Sequence, residues 1–469
     1  MRVNRRIDPT FAVELLLLAL AAPALYFPGW FPAWAPYAAF GALVAGWVWR
    51  RWRLGVWYAP TPADWPIFFL FAVMLPVAVW AAPGPLRQQY SIPRTYILLW
   101  NFCLFWTVVT HASRSRQSAE WALGGFALNA LGIALVAPLG MNWLYKFHGA
   151  ERALSAIPSP LLGVFQGAES GFHPNQVAGT LLYAFPLLLA ITTADAIHRR
   201  RTLASRLVTW VVWVSTPVVG LALLLAQSRS ALLGLIVGLA VMALLPWRRG
   251  RWALVVGVAV LLAAAPFAPL DLVDVIGGSP PAEALGGTST LGFREDVWTQ
   301  AIMGIYDFPF TGMGLNTFRE VVFLLYPIGV NPTYNLGHAH NFFLQTALDF
   351  GVPGLIAVLA IYMTAVVVLY PPATRREEGV SPAAWGGRRV WALGLIGALV
   401  AQTVYSQLDA VTMGAKTNFM WWWMFGLVLS LSNLSLRLSE PRSTGFYAVS
   451  SESEELGFSR SGSASLRSE

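Results

Sequence analysis

Apolar blocks of membrane-spanning length recur along most of this 469-residue chain, and they constrain its fold before anything else does. Backbone buried in lipid must satisfy its own hydrogen bonds, so each block of roughly 20 residues reads as an α-helix. Twelve spans are expected, near 11–28, 33–50, 65–82, 95–112, 120–140, 176–194, 207–226, 230–247, 252–269, 353–371, 389–408 and 418–436. Composition agrees. Charged residues make up 12% of the chain, against about 25% in a soluble protein, and the mean hydropathy is +0.57. The expected class is an all-α polytopic membrane protein with about 12 transmembrane helices.

The basic residues orient these spans. Arginines cluster in alternate loops, at 2–6, 50–53, 114–116, 199–206, 248–251 and 375–389, and again in the C-terminal tail. The opposite loops hold only Arg87, Arg94, Lys146, Arg152, Arg229, Arg294, Arg319 and Lys416. Both termini are therefore expected in the cytoplasm. The net charge of +8 reports this asymmetry and not a nucleic-acid surface. MRVNRR before an apolar block resembles a signal peptide, but Pro23 and the block at 33–50 favour an uncleaved first span. Cys103, the single cysteine, lies inside an apolar block and reads as a small buried residue. Four regions are expected: spans one to nine (1–269), a large outer loop (270–341), a short interfacial helix with the last three spans (342–436), and a disordered tail (437–469).

Outer segments are where unusual residues collect. In AQSRSALLGL, Ser228 or Ser230 can cap the following helix, so that helix start and Arg229 form an anion site, unless Arg229 snorkels or pairs with a loop acid. In GFREDVWTQAIMGIYDFPFTGMG, Phe293, Val297, Trp298, Ile302 and Ile305 recur at helical spacing, predicting an amphipathic surface helix ended by Asp307 and Pro309. Arg294 falls in its expected first turn, where the dipole disfavours a cation; it forms a local salt bridge or has a task other than helix stability. In GHAHNFFLQTALDFGVPG, Asn341 is the expected N-cap of a short helix that Gly351 ends before Pro353 opens the next span. His338 and His340, two apart, share no helix face, and no carboxylate accompanies them in sequence, which argues against a metal pair. They suit acid–base chemistry, or are two hydrogen-bonded loop histidines. His173, Pro174 and Asn175 form a turn and helix start, or a substrate contact.

Taken in order, four motifs resemble the bacterial O-antigen ligase and O-antigen polymerase superfamily, and most closely the ligase. They are FHPNQVAGTL (172–181), SRSALLGL (228–235), REDVWTQAIMGIYDFPFTGMGLNTF (294–318) and HAHN-x-x-L-Q with D-x-G-x-x-G (338–354). The resemblance implies a GT-C-like membrane glycosyltransferase at the periplasmic face of the bacterial inner membrane, working without cofactor or metal. It implies undecaprenyl-diphosphate-linked O-antigen as donor and a lipid A–core sugar as acceptor, joined with inversion. Arg229 and Arg294, with Arg152 beside them, are then expected to hold the diphosphate. His338 or His340 is expected to act as base, with His338 preferred because His340 lies beside the helix cap. His173, Asn175, Asn341, Arg319, Tyr326 and Tyr334 are the expected glycan contacts. An O-antigen polymerase or a protein O-oligosaccharyltransferase would share the donor. A polyprenyl-glycan transporter would be expected to show related halves and mid-span charges, and neither is evident.

Overall fold

A computed structural model describes residues 8–143, 151–165, 170–198, 205–264, 290–326, 336–375 and 382–439. Its helices are α1 (Pro9–Tyr26), α2 (Ala35–Leu54), α3 (Asp64–Ala81), α4 (Gly84–Ala112), α5 (Arg116–Val136), α6 (Glu151–Ser155), α7 (Pro174–Leu182) and α8 (Phe185–His198). They continue as α9 (Arg206–Leu225), α10 (Arg229–Leu244), α11 (Arg248–Ala264), α12 (Thr290–Asp307), α13 (Phe318–Leu325), α14 (Phe342–Thr374), α15 (Pro382–Tyr405) and α16 (Phe419–Ser439). Among the described residues the one β-type pairing outside helices is the bridge between Met141 and Phe172.

A helix overlaps every apolar block expected from sequence, but length and apolarity together are met by fewer. Among the described residues, six helices are long and apolar enough to cross a membrane, or seven if α7 and α8, bent by 47°, count as one span. The chain is a multi-pass, all-helical membrane protein; the expected twelve crossings are not met by this measure, because several helices are short or carry basic ends. α10 and the apolar part of α16, for example, fall short of 18 residues. The amphipathic helix is described from Thr290 to Asp307 and carries Arg294 near the beginning of that range. The last helix runs to Ser439, past the expected end at 436; the tail from 440 lies outside the described residues, as do 270–289 of the large loop.

Close helix contacts are made where side chains are smallest. A Cβ on Gly234 would clash with Ala401 O, and one on Gly238 with Gly397 O. Glycine at these positions lets α10 and α15 pack backbone to backbone, which favours association where no hydrophobic force acts between helices in lipid. The paired contacts run in opposite directions along the two helices, so Arg229 at the start of α10 comes level with the residues just after Tyr405.

The Arg-rich end of the bundle is closed by a buried ion cluster. Arg50 donates to both carboxylate oxygens of Glu14, to Thr107 and to Trp57 O, and His111 Nε2 lies 3.2 Å from Glu14. All three ionisable groups are buried. Arg50 thus does more than mark topology. Buried charge is tolerated because the Glu14 carboxylate faces the Arg50 guanidinium and the His111 ring, and the cluster ties α1, α2 and α4 together.

Candidate active site

His338 and His340 lie in the turn that leads into α14. Asn341 caps the helix alone, its Oδ1 accepting from Phe343 N at 2.9 Å and Leu344 N at 3.1 Å, which leaves His340 without that task. Gly351 adopts φ 69° and ψ 176°, a conformation open to glycine. It separates the short helix 342–350 from the long apolar run, as the sequence predicts. The turn is held from three sides. Trp298 Nε1 donates to Ala339 O at 3.1 Å, Arg319 Nη2 to Gly337 O at 3.1 Å, and Ala339 N donates to Gln345 Oε1 at 2.9 Å. Gln345 Nε2 in turn donates to Asp349, whose Oδ1 also accepts from Asn316 N.

These bonds give the spaced motifs a physical meaning. The Trp of R-x-x-x-W and the Gln of H-x-H-N-x-x-L-Q are braces for the histidine turn. The D-x-P-x-x-G-x-G stretch docks on the start of α14 through Met313 N to Leu348 O and Val352 N to Pro309 O, both 2.7 Å. Gln345→Ala is therefore expected to leave Ala339 N–H and part of Asp349 without partners, costing about 1–3 kcal/mol for each orphaned group. A lowered thermal midpoint in detergent, with faster amide exchange at Ala339, would show it; an unchanged midpoint would mean that the brace is dispensable.

A carboxylate joins the histidines from the loop between α15 and α16. Asp409 Oδ1 lies 3.6 Å from His340 Nδ1 and 3.7 Å from His338 Nε2. Sequence spacing gave no hint of this partner. Burial alone would raise the Asp409 carboxyl, but the facing imidazoles of His340, His338 and His173 outweigh it and hold the group well below the usual carboxylate range. Arg294, itself buried, lies within electrostatic reach of Asp409 and Tyr405. Burial lowers its pKa and those two groups partly offset the effect; arginine stays charged in proteins.

The two histidines differ in what their nitrogens are free to do. His338 Nδ1 accepts the His340 backbone N–H at 3.1 Å, so its proton sits on Nε2, which faces Asp409 and, at 3.4 Å, Gln176. Its pKa is pushed down to about 3, by burial first and then by His340. His338 is thus a neutral imidazole whose lone pair is already engaged. His340 is more exposed, 19% against 9% for the side chains, and directs Nδ1 at Asp409. With Nδ1 protonated toward the carboxylate, Nε2 is left as the proton acceptor. Among the described residues, three non-glycine residues have positive φ, namely Gln227 (50°), Asn316 (59°) and His340 (50°). They fall beside Arg229, beside the motif glycines and at the histidine itself, and such outliers collect at functional sites.

The other sequence candidates divide. His173 caps α7, its Nδ1 accepting from Asn175 N at 3.3 Å, and lies within electrostatic reach of His338 and Asp409. Asn175 O accepts from Tyr405 OH at 2.9 Å, tying α7 to α15. Ser228 caps α10, accepting from Ala231 N at 3.4 Å, with half-buried Arg229 next to it. Arg319 is engaged by the Gly337 carbonyl and lies over the Tyr90 ring, which makes it a brace of the turn. Tyr326 donates to Asp307 at 2.7 Å. Arg152 is exposed on α6, with no contact to the histidines among the described residues. Tyr334 lies outside the described residues. Sequence reading missed Asp409, Gln176 and Tyr405. An acid in a short loop between two apolar blocks was the available signal for the first.

The ligand atoms of His338, His340 and Asp409 lie within 4.8 Å of one another, close enough to share a metal ion. Two features weigh against that use. With Nδ1 accepting a backbone N–H, His338 carries its proton on Nε2, the atom that would have to bind the ion, and Arg294 lies within electrostatic reach of the carboxylate. The sequence model of the O-antigen ligase family matches residues 210–359. That stretch contains Arg229, Arg294, His338 and His340 but stops short of Asp409. No curated protein matches the chain.

Proposed function

We propose that this chain, which carries a domain of the O-antigen ligase and polymerase superfamily over residues 210–359, is an O-antigen ligase. It transfers a glycan from undecaprenyl diphosphate to a lipid A–core sugar at the periplasmic face, on a GT-C-like scaffold. The observation that carries this reading is the approach of His340 to Asp409, with Arg294 in electrostatic reach of that carboxylate, the three contributed by separate elements.

In the proposed reaction an acceptor hydroxyl attacks the anomeric carbon of the donor sugar. His340 Nε2 takes the hydroxyl proton, and Asp409 steadies the imidazolium that results. As the new C–O bond forms, the bond to the diphosphate breaks and its electron pair leaves with the diphosphate oxygen. Arg294 and Arg229 stabilise the growing negative charge there; fixed cationic donors in a water-poor site are worth more than in solution. A single displacement of this kind inverts the anomeric centre. No step needs a metal.

Reconstitution with undecaprenyl-diphosphate glycan in EDTA tests the reading, with lipid A–core and a second lipid-linked glycan offered as competing acceptors. Glycan joined to lipid A–core in the presence of EDTA is the expected result. Elongation of the lipid-linked glycan instead would make the protein a polymerase, and activity restored only by a divalent ion would assign His338, His340 and Asp409 to a metal.

A further inference from the structure

Arg94, one of the basic residues outside the Arg-rich loops, takes no part in the machinery described above. It lies on α4 one turn after Ser91, whose hydroxyl donates to Leu315 O at 2.7 Å. That bond joins the first part of α4 to the segment before α13, and Arg94 comes within electrostatic reach of Arg319. Gly414, on the loop that carries Asp409, also packs here: a Cβ on it would meet the Arg94 Cβ and carbonyl. Both arginines are half-buried, and like charges in a partly dry site repel. Arg94 Nη1 and Arg319 Nε are buried donors without a hydrogen-bond partner among the described residues, a state that native proteins rarely leave unused. From this pair we infer a second anion site, separate from Arg294 and Arg229, that takes a phosphate group of the acceptor glycolipid; the assignment rests on the transferase reading above.

The protein's own carboxylates do not fill this role. Asp349 Oδ1 accepts from Asn316 N and Gln345 Nε2, and Glu320 Oε1 accepts from Tyr90 OH. They offset the charge of the arginines, but among the described residues neither accepts a hydrogen bond from them. Arg319 is fixed, lying over the Tyr90 ring with Nη2 on Gly337 O, while its Nε stays open to a ligand. Two guanidinium forks in one place suit a tetrahedral phosphate, which offers more acceptor oxygens than a carboxylate. Position then selects the acceptor over the donor. Arg94 and Arg319 share Asp349, whereas Arg294 shares Asp409 with the histidines. In an inverting displacement the acceptor enters opposite the departing diphosphate. With that diphosphate held by Arg294 and Arg229, a separate cationic pair braced to the same histidine turn serves the incoming substrate.

Removing phosphate from the acceptor tests this without altering the protein. Transfer from one lipid-linked donor would be measured to lipid A–core before and after phosphatase treatment, with wild type and Arg94→Gln, in detergent free of anionic phospholipid. Loss of a charge-assisted hydrogen bond should raise the acceptor KM by about 10- to 100-fold. That rise is expected for wild type on the dephosphorylated acceptor and for Arg94→Gln on the intact one. Combining the two should add no more than about twofold, because both remove the same contact. The donor KM should stay within about twofold of wild type by the same measure. A wild type indifferent to dephosphorylation, an equal loss by Arg94→Gln on both acceptors, or a rise in donor KM would each overturn the assignment. Inhibition of wild type but not Arg94→Gln by added phosphatidylglycerol, with no response to dephosphorylation, would overturn it in favour of a lipid headgroup. Failure of the wild-type protein to transfer to either acceptor would instead overturn the ligase reading beneath it.

Discussion

Replacing His340 with glutamine is expected to lower kcat for glycan transfer by about 10²–10⁴-fold, the contribution of a positioned general base, with little change in donor KM. His340 is the histidine whose Nδ1 faces Asp409 and whose side chain is the more exposed of the two. His338→Gln should cost far less in kcat. An amide oxygen can still accept the His340 N–H, and no proton transfer is asked of this side chain. Asp409→Asn should follow His340→Gln in direction, because a neutral amide no longer favours the imidazolium, and the acid limb of the pH–rate profile should shift with it. A greater kcat loss in His338→Gln than in His340→Gln would return the base to His338. That outcome would favour the preference drawn from sequence, which rested on His340 sharing the helix cap; Asn341 makes that cap without help.

Arg294→Ala is expected to lower kcat by about 10²–10³-fold, the scale seen when one donor to a developing anion is removed. Arg294→Lys should recover only part of this, since an ammonium lacks the planar fork that grips two phosphate oxygens. Arg229→Ala should act in the same direction. The double variant should lose less than the product of the two single losses if both side chains serve one leaving group. Steady-state kinetics with quantified membrane insertion separates this from misfolding. Wild-type kcat with only a raised donor KM would mean that Arg294 binds the ground state and plays no part in charge development. Because Arg294 lies close to Asp409, its loss should also make protonation of the histidines easier, moving the acid limb of the pH profile upward.

Local signals were legible in the sequence to the extent that local physics produced them. The Ser228 and Asn341 caps, the Gly351 break, the amphipathic helix at 290–307 and the positions of the apolar helices all follow from side-chain preferences over a few residues. So did the isolation of Arg229 and Arg294, which stand out because a basic residue away from the Arg-rich loops opposes the topological bias. Arg50 shows the limit of that logic. It obeys the charge rule in sequence, yet it is buried against Glu14 and His111, because a pairing across three helices has no local trace. Arg319 was expected to contact glycan, and the fold gives it the Gly337 carbonyl.

Sequence alone determined that the chain is helical and crosses a membrane repeatedly, and which stretches carry unusual polar residues, because hydrophobic run length and capping act within one segment. Only the tertiary structure decided which of those residues meet. Asp409 reaches the histidines because the loop after α15 is tied to the start of α14, Phe342 N donating to Ser406 O at 2.9 Å and Asn341 Nδ2 to Gln407 O at 3.3 Å. Trp298 and Gln345 become braces because their partners come from other turns of the chain. The division of labour between His338 and His340 depends on one backbone N–H and one distant carboxylate, contacts that no spacing in the sequence encodes.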